Sequence, residues 1–316
     1  MSAQQEGNGV VSSADVSIDS GGCVLAATYA EAAEPVAAAL LIQGSGRTDR
    51  DSDARLPGGM KLRLAVTRVI AEELQKIGVT TLRFDKRGVG ASGGNYLTAG
   101  MDRGAADVWA ARDWLAAKTA GLPLITIGHS EGTYYAAQVA ADGQAAGAVL
   151  LSGPARSGAD VLTYQVAEIG ARLPAFAKLT LRLMRTDVVR AQRKNQAKIM
   201  ASTADVIRVQ GTRVNARWTR DFVAYDPAPA LARITVPVLA ITGGHDVQVP
   251  PEDVEAMGRL VKGPFEGHVI PDLSHLLRPD PDSLGPRGYR RQVRQPVSPE
   301  VLRLITDWVT SHWARS

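Results

Sequence analysis

Leu122-Pro123-Leu124-Ile125-Thr126-Ile127-Gly128-His129-Ser130-Glu131-Gly132-Thr133-Tyr134-Tyr135-Ala136-Ala137-Gln138-Val139-Ala140-Ala141 contains three pieces in one run. Leu122 to Ile127 is an apolar stretch that reads as a buried strand. Thr133 to Ala141 is alanine-rich and reads as a helix. Between them Gly128-His129-Ser130-Glu131-Gly132 fits G-x-S-x-G, in the strand-turn-helix setting that this motif requires. A serine in such a turn sits on a strained bend with its oxygen exposed above a sheet. Small residues at 128 and 132 let the strand and helix backbones approach closely. The helix N-terminus beneath the turn favours developing negative charge.

Outward from this point the chain alternates. Val36 to Ile42 is an apolar run ending at Gln43-Gly44-Ser45-Gly46, a strand entering a glycine loop. Leu62, Val66, Val69, Ile70, Leu74 and Ile77 follow helical spacing, and Gly78 stops it. Val79 to Phe84 is the next strand, and Val108, Ala111, Trp114 and Leu115 mark another helix. Ala148 to Leu151, Val236 to Thr242 and His268 to Ile270 continue the strands. Such alternation predicts an α/β fold with a mostly parallel sheet flanked by helices. From Gly153 to Ala230 the pattern breaks. This segment holds 13 Lys or Arg against 6 Asp or Glu, is helical in flavour (Ile169, Leu173, Phe176, Leu179, Leu183) and shows no convincing strand. It reads as a helical insertion, residues 153–230, in a core formed by residues 1–152 and 231–316. After a Pro- and Arg-rich loop, Arg278 to Val297, Ser298-Pro299-Glu300 opens a last helix whose buried face is Val301, Leu302, Ile305, Trp308 and Val309.

A serine needs a base, and the base needs an orienting acid. Of the five histidines, His129 lies inside the elbow, His312 in the terminal helix and His268 in a strand. His245 adjoins Asp246 along the chain, which makes it a poor base for that acid. His275 sits in a loop after a strand, where a base is required. Asp246 follows a strand through Gly243-Gly244, and Asp272 is the alternative acid. The chain order Ser130, Asp246, His275 is the one the G-x-S-x-G elbow predicts. Two backbone N–H groups are expected to hold the oxyanion, those of Glu131 and of Ser45 in the Gln43 to Gly46 loop.

Composition bounds the rest. The chain has 316 residues, 45% hydrophobic and 22% charged, with 36 Lys or Arg against 32 Asp or Glu. These are globular values, which exclude disordered and fibrous classes. No dense basic run argues for nucleic acid. Cys23 is the only cysteine, so neither an internal disulfide nor a thiolate metal site is possible within the chain. No apolar stretch approaches the roughly 20 residues of a membrane span, and Met1 to Ser12 lacks the pattern of a signal peptide. A cytoplasmic protein without metal or nucleotide cofactor is expected, acting on a small-molecule acyl substrate. Oligomeric state is left open.

With these residues in view, the chain resembles the α/β-hydrolase superfamily, in the branch of bacterial serine esterases and serine aminopeptidase (S33)-like acyl hydrolases. The resemblance rests on the elbow, on Gln43 to Asp51, on Asp85-Lys86-Arg87-Gly88-Val89-Gly90-Ala91-Ser92, on Asp246 to Pro250 and on Leu273 to Leu276. It implies Ser130, Asp246 and His275 as a catalytic triad and Asp85 to Ser92 as a structural turn near the site. It makes residues 153–230 a cap that shapes the acyl or leaving-group pocket. Two positions depart from the family pattern. Gln43 stands where the oxyanion loop usually has histidine, and Glu131, expected to cap the helix, puts a carboxylate next to the serine. The implied activity is hydrolysis of a carboxylic ester through an acyl-enzyme. Thioester cleavage, with the basic cap attracting an anionic acyl carrier, and peptide cleavage, with Glu168 or Asp221 holding a free amine, use the same triad. A non-catalytic receptor on the same fold is the remaining reading.

Overall fold

The alternating apolar runs assemble into one eight-stranded sheet in the computed structural model, which describes residues 12–55, 61–172 and 188–313. Numbered within the sheet, the strands are β1 Ser12–Ser20, β2 Cys23–Glu31, β3 Ala37–Ile42 and β4 Val79–Phe84. They continue as β5 Leu124–His129, β6 Gly147–Leu151, β7 Val238–Gly243 and β8 Phe265–Ile270. Their order across the sheet is β1-β2-β4-β3-β5-β6-β7-β8. Only β2 runs against both of its neighbours; from β4 to β8 all pairings are parallel.

Burial follows the two-residue period of a strand. Ala38, Leu40, Ile42, Ala148, Leu150 and Ala240 face one core with α2 (Met101–Lys118), α3 (Gly132–Ala141) and, farther along, α8 (Asp253–Leu260). Ala39, Leu41, Ile125, Ile127, Val149 and Ile241 face the other core with α1 (Val66–Lys76) and α9 (Pro299–Trp313). Strands covered on both faces must be apolar throughout, which is why they stand out in the sequence. Parallel register also brings the carboxyl ends together: Ile42 pairs with Gly128, His129 with Leu151, and Gly243 with Ile270. The loops that follow β3, β5, β7 and β8 therefore open at one edge of the sheet, where ligands of such sheets bind.

Three expectations need correction. The sequence reading assigns no element before Val36, yet β1 and β2 form a hairpin there. Gly21 and Gly22 both take positive φ, 58° and 82°, as the tight turn between twisted strands requires. The insertion was expected to lack strands. It contains α4 (Gly158–Ala171), α5 (Val188–Met200), α6 (Ala216–Ala224) and α7 (Ala228–Leu231), but also a hairpin of Val206–Val209 with Thr212–Asn215. Its turn, Gln210-Gly211, has φ of 49° and 81°. Third, β8 starts at Phe265 rather than His268. The helical positions Leu173, Phe176, Leu179 and Leu183 lie outside the described residues. Among the described residues no helix is long and apolar enough to cross a membrane.

The turn Asp85 to Ser92, which the resemblance makes structural, is held by buried ion pairs. Asp85 is buried and accepts from Arg50 N, Arg50 Nη2 and Ala91 N. Arg87 reaches α2, where its guanidinium meets the buried carboxylate of Asp107, itself bonded by Ser20 Oγ at 2.6 Å. Removing the cation would leave that carboxylate buried and unpaired. Arg87→Met is expected to lower stability by about 3–5 kcal/mol in urea unfolding, and Arg87→Met combined with Asp107→Leu to regain most of it.

Candidate active site

β5 delivers Ser130 into a left-handed bend, φ 55°, a conformation that costs a non-glycine residue about 1–3 kcal/mol. The bend is held by Ser130 N donating to Leu151 O at 2.9 Å, and by Thr133 N and Thr133 Oγ1 donating to Ser130 O at 3.0 and 2.7 Å. A Cβ at position 128 would stand 2.3 Å from Gly132 O, and one at 132 would stand 2.2 Å from Ile42 O. Both glycines are thus required by backbone contact. On the other side of the serine, a Cβ on Gly44 would lie 3.0 Å from Ser130 Cβ. The Gln43 to Gly46 loop therefore leans directly on the elbow. Among the described residues neither Ser45 N–H nor Glu131 N–H has a protein acceptor. These are the two expected oxyanion donors.

Asp246 and His275 are brought together from loops after β7 and β8. Both are buried, and His275 Nδ1–H donates to Asp246 at 2.8 Å to Oδ2 and 3.1 Å to Oδ1. Asp246 Oδ1 also accepts from Gln248 N and Val249 N at 2.8 and 2.9 Å, so the carboxylate is fixed by its own turn. Asp272, the alternative acid, is exposed. Ser45, Ser130 and His275 open on a common cavity of about 450 Å³, with Leu62, Leu64 and Tyr289 among its walls. Ser130 Oγ makes no hydrogen bond among the described residues; such contacts commonly close only around bound substrate. The other histidines are occupied elsewhere. His245 Nδ1 bonds Asp280 O at 2.7 Å, His268 pairs with Glu266 on the surface, and His312 Nδ1 bonds Trp308 O.

Sequence reasoning missed three contributors. His129 is no spectator: its Nε2–H donates to His275 O at 2.9 Å, holding the His275 backbone from the elbow. Burial first, and then the neighbouring His275, push the His129 imidazole down to about 4, so it stays neutral. Arg278 is buried beneath the same loop, and among the described residues its guanidinium donates only to carbonyls, those of Leu276, Leu64 and Gln295. Burial pulls its pKa below the ordinary arginine value. Glu131 does not cap α3. Its backbone is helical, φ −51° and ψ −33°, so the side chain cannot fold back over the first turn. The carboxylate instead accepts from Lys86 Nζ (3.1 Å), Tyr135 Oη (2.9 Å) and Trp218 Nε1 (2.9 Å). No sequence spacing joins these partners, since Lys86 and Trp218 lie 45 and 87 residues from Glu131. Among the described residues no group of three or more His, Cys, Asp or Glu could hold a metal ion. Cys23 is buried, its thiol donating to Gly93 O at 3.3 Å.

The profile of the family described as serine aminopeptidase, S33, matches residues 58–282. Esterase EstD of Thermotoga maritima is 25% identical over 285 residues, which cover 89% of this chain; the chain spans 64% of that protein's length. Among solved structures, Est1E from Butyrivibrio proteoclasticus with ferulic acid bound superposes with a TM-score of 0.61 at 18% identity. The match covers 95% of this chain and 100% of that one. Proline iminopeptidase from Mycobacterium smegmatis gives a TM-score of 0.62 at 14% identity, covering 95% and 98%. At such identities the likeness establishes the α/β-hydrolase fold.

The buried imidazole of His129 has a thermodynamic consequence. The unfolded chain takes up this proton near 6.5 and the folded chain only near 4, so between those values the unfolded state binds more protons. Stability contributed by His129 is therefore intact above about pH 6.5 and is lost as pH falls towards 4, by about 3 kcal/mol in all. His129→Gln keeps an N–H for His275 O. Urea unfolding at pH 7 and pH 4 is expected to show a loss smaller by about that amount in the variant.

Proposed function

The chain belongs to the serine aminopeptidase S33 family of α/β-hydrolases, and from that premise we propose that it is a serine carboxylesterase using Ser130, His275 and Asp246. The observation that carries this reading is His275, held by the buried Asp246, opening on the same cavity as the strained Ser130. Ser130 Oγ attacks the acyl carbonyl as His275 Nε2 takes its proton, and Asp246 holds the imidazole in that tautomer. Charge on the carbonyl oxygen is met by Ser45 N–H and Glu131 N–H, the latter at the start of α3. His275 returns the proton to the departing alkoxide, and water, activated by the same imidazole, releases the acid and restores Ser130.

Residues 153–230 act as a cap in this scheme. Support comes from α4, where Tyr164 Oη donates to Asp246 O at 2.9 Å and Gln165 Nε2 to Gln248 O at 3.2 Å. An ester is favoured over a peptide by the state of the cap acids. Glu168 is tied to Arg172, Asp221 accepts from Met101 N at 3.0 Å, and neither lines the cavity of Ser130. The esterase name of the Thermotoga maritima relative and the ferulic acid bound to Est1E point the same way. The net positive charge of the segment gives little support to a thioester of an anionic carrier. Arg156, Arg172 and Arg217 are each paired with a carboxylate.

Hydrolysis of p-nitrophenyl esters from acetyl to palmitoyl, followed at 25 °C, is expected to fall by at least about a thousandfold in Ser130→Ala. A fluorophosphonate probe is expected to label the wild type and not the variant. Retained activity in folded Ser130→Ala would exclude this mechanism.

A further inference from the structure

The two departures from the family pattern, Gln43 and Glu131, meet in one place. Both line a second cavity, of about 40 Å³, that lies beneath Trp218 of the insertion and beside Lys86. Its walls combine the apolar Ile42, Phe84 and Val108 with the Arg87–Asp107 ion pair. Ser130 and His275 do not line it; they open on the larger cavity, lined by Gly44 and Ser45 where this one is lined by Gln43 and Gly46. The two spaces thus flank the same four-residue loop.

The polar groups in the small cavity are incompletely used. Gln43 is 1% exposed, and its Nε2–H donates to Phe84 O at 2.8 Å, which fixes the opposite end as oxygen. That oxygen, Oε1, is buried with no partner. Glu131 is saturated at Oε1 by Tyr135 and Trp218, and at Oε2 it takes one N–H of Lys86. Among the described residues Lys86 Nζ makes no other hydrogen bond, so two of its three donors are free. The cavity therefore offers an acceptor that lacks a donor beside an ammonium with N–H groups to spare.

This inventory selects the ligand. An ammonium group would only donate and would stand against Lys86. A carboxylate would only accept and would stand against Glu131. A hydroxyl donates to one and accepts from the other, and it brings no charge. A water-sized guest needs about 10–15 Å³ on this measure, so the space holds about three heavy atoms. The side of the site is set by the proton. The leaving alkoxide must lie by His275, which reprotonates it, and the small cavity lies away from His275, next to the residue that follows the serine.

We propose that this cavity receives the tip of the acyl group and selects short acyl chains bearing a hydroxyl, held between Gln43 Oε1 and Lys86 Nζ. The assignment rests on the esterase reading and names its substrate class. The test is a pH-stat comparison of ethyl 3-hydroxybutanoate with ethyl butanoate on the full chain. The hydroxy ester is expected to have kcat/KM higher by about tenfold or more, because without the hydroxyl the buried Gln43 Oε1 stays without a donor. Lys86→Met and Gln43→Met, each checked for folding by circular dichroism, are expected to bring that ratio to within about twofold of one. Equal cleavage of both esters by the wild type would overturn the proposal and leave the esterase reading standing. A preference that survives in a folded variant would overturn the assignment to that residue. Cleavage of neither ester, with Ser130 unlabelled by fluorophosphonate, would overturn both readings.

Discussion

Backbone pressed against backbone is the constraint on which this molecule turns. Where β3 ends, Ile42 O occupies the place a side chain at 132 would need, and Gly132 O in turn occupies that of residue 128. Two strands and a helix therefore cross within van der Waals distance, with no room for a methyl group. The contact forces Ser130 into its left-handed bend, aims α3 at the sheet edge and presses Gly44 onto the serine. Two N–H groups, at the loop and at the helix start, are left without a protein acceptor among the described residues. The electrostatics of the site thus originate in main-chain geometry, and the side chains of Asp246 and His275 are added to a cradle already formed.

The sheet was legible because its strands are buried on both faces. Apolar runs such as Ala37–Ile42 and Val238–Gly243 are conspicuous, and glycine loops mark where they stop. Asp246 and His275 were legible for a related reason: each sits just past such a run, at the edge where loops gather. What escaped notice lacks those signals. β1 is largely exposed, so it carries no apolar run, and only the Gly21-Gly22 pair announces its turn. The hairpin of the insertion is four residues a side and hides in a polar, basic context behind Gln210-Gly211.

Glu131 shows a different limit. Its neighbours in sequence suggested a helix cap, but its neighbours in space are an ammonium from the turn after β4, a phenol one helical turn on and an indole from the insertion. A carboxylate with three donors in a dry setting is a tertiary feature, built by topology, and no local periodicity encodes it. The same holds for His129. A histidine preceding the serine looked incidental, yet closure of the sheet edge sets its ring 5.1 Å from that of His275 and its N–H on the His275 carbonyl.

Arg278 ties its own loop, at Leu276, to the approach to α1 at Leu64 and to the run before α9 at Gln295, and among the described residues its guanidinium does so through carbonyl oxygens alone. Every residue type supplies a carbonyl. The side chains at those three positions are consequently free of this duty, whatever packing they also do. One guanidinium thus rivets three parts of the chain without specifying a single partner side chain.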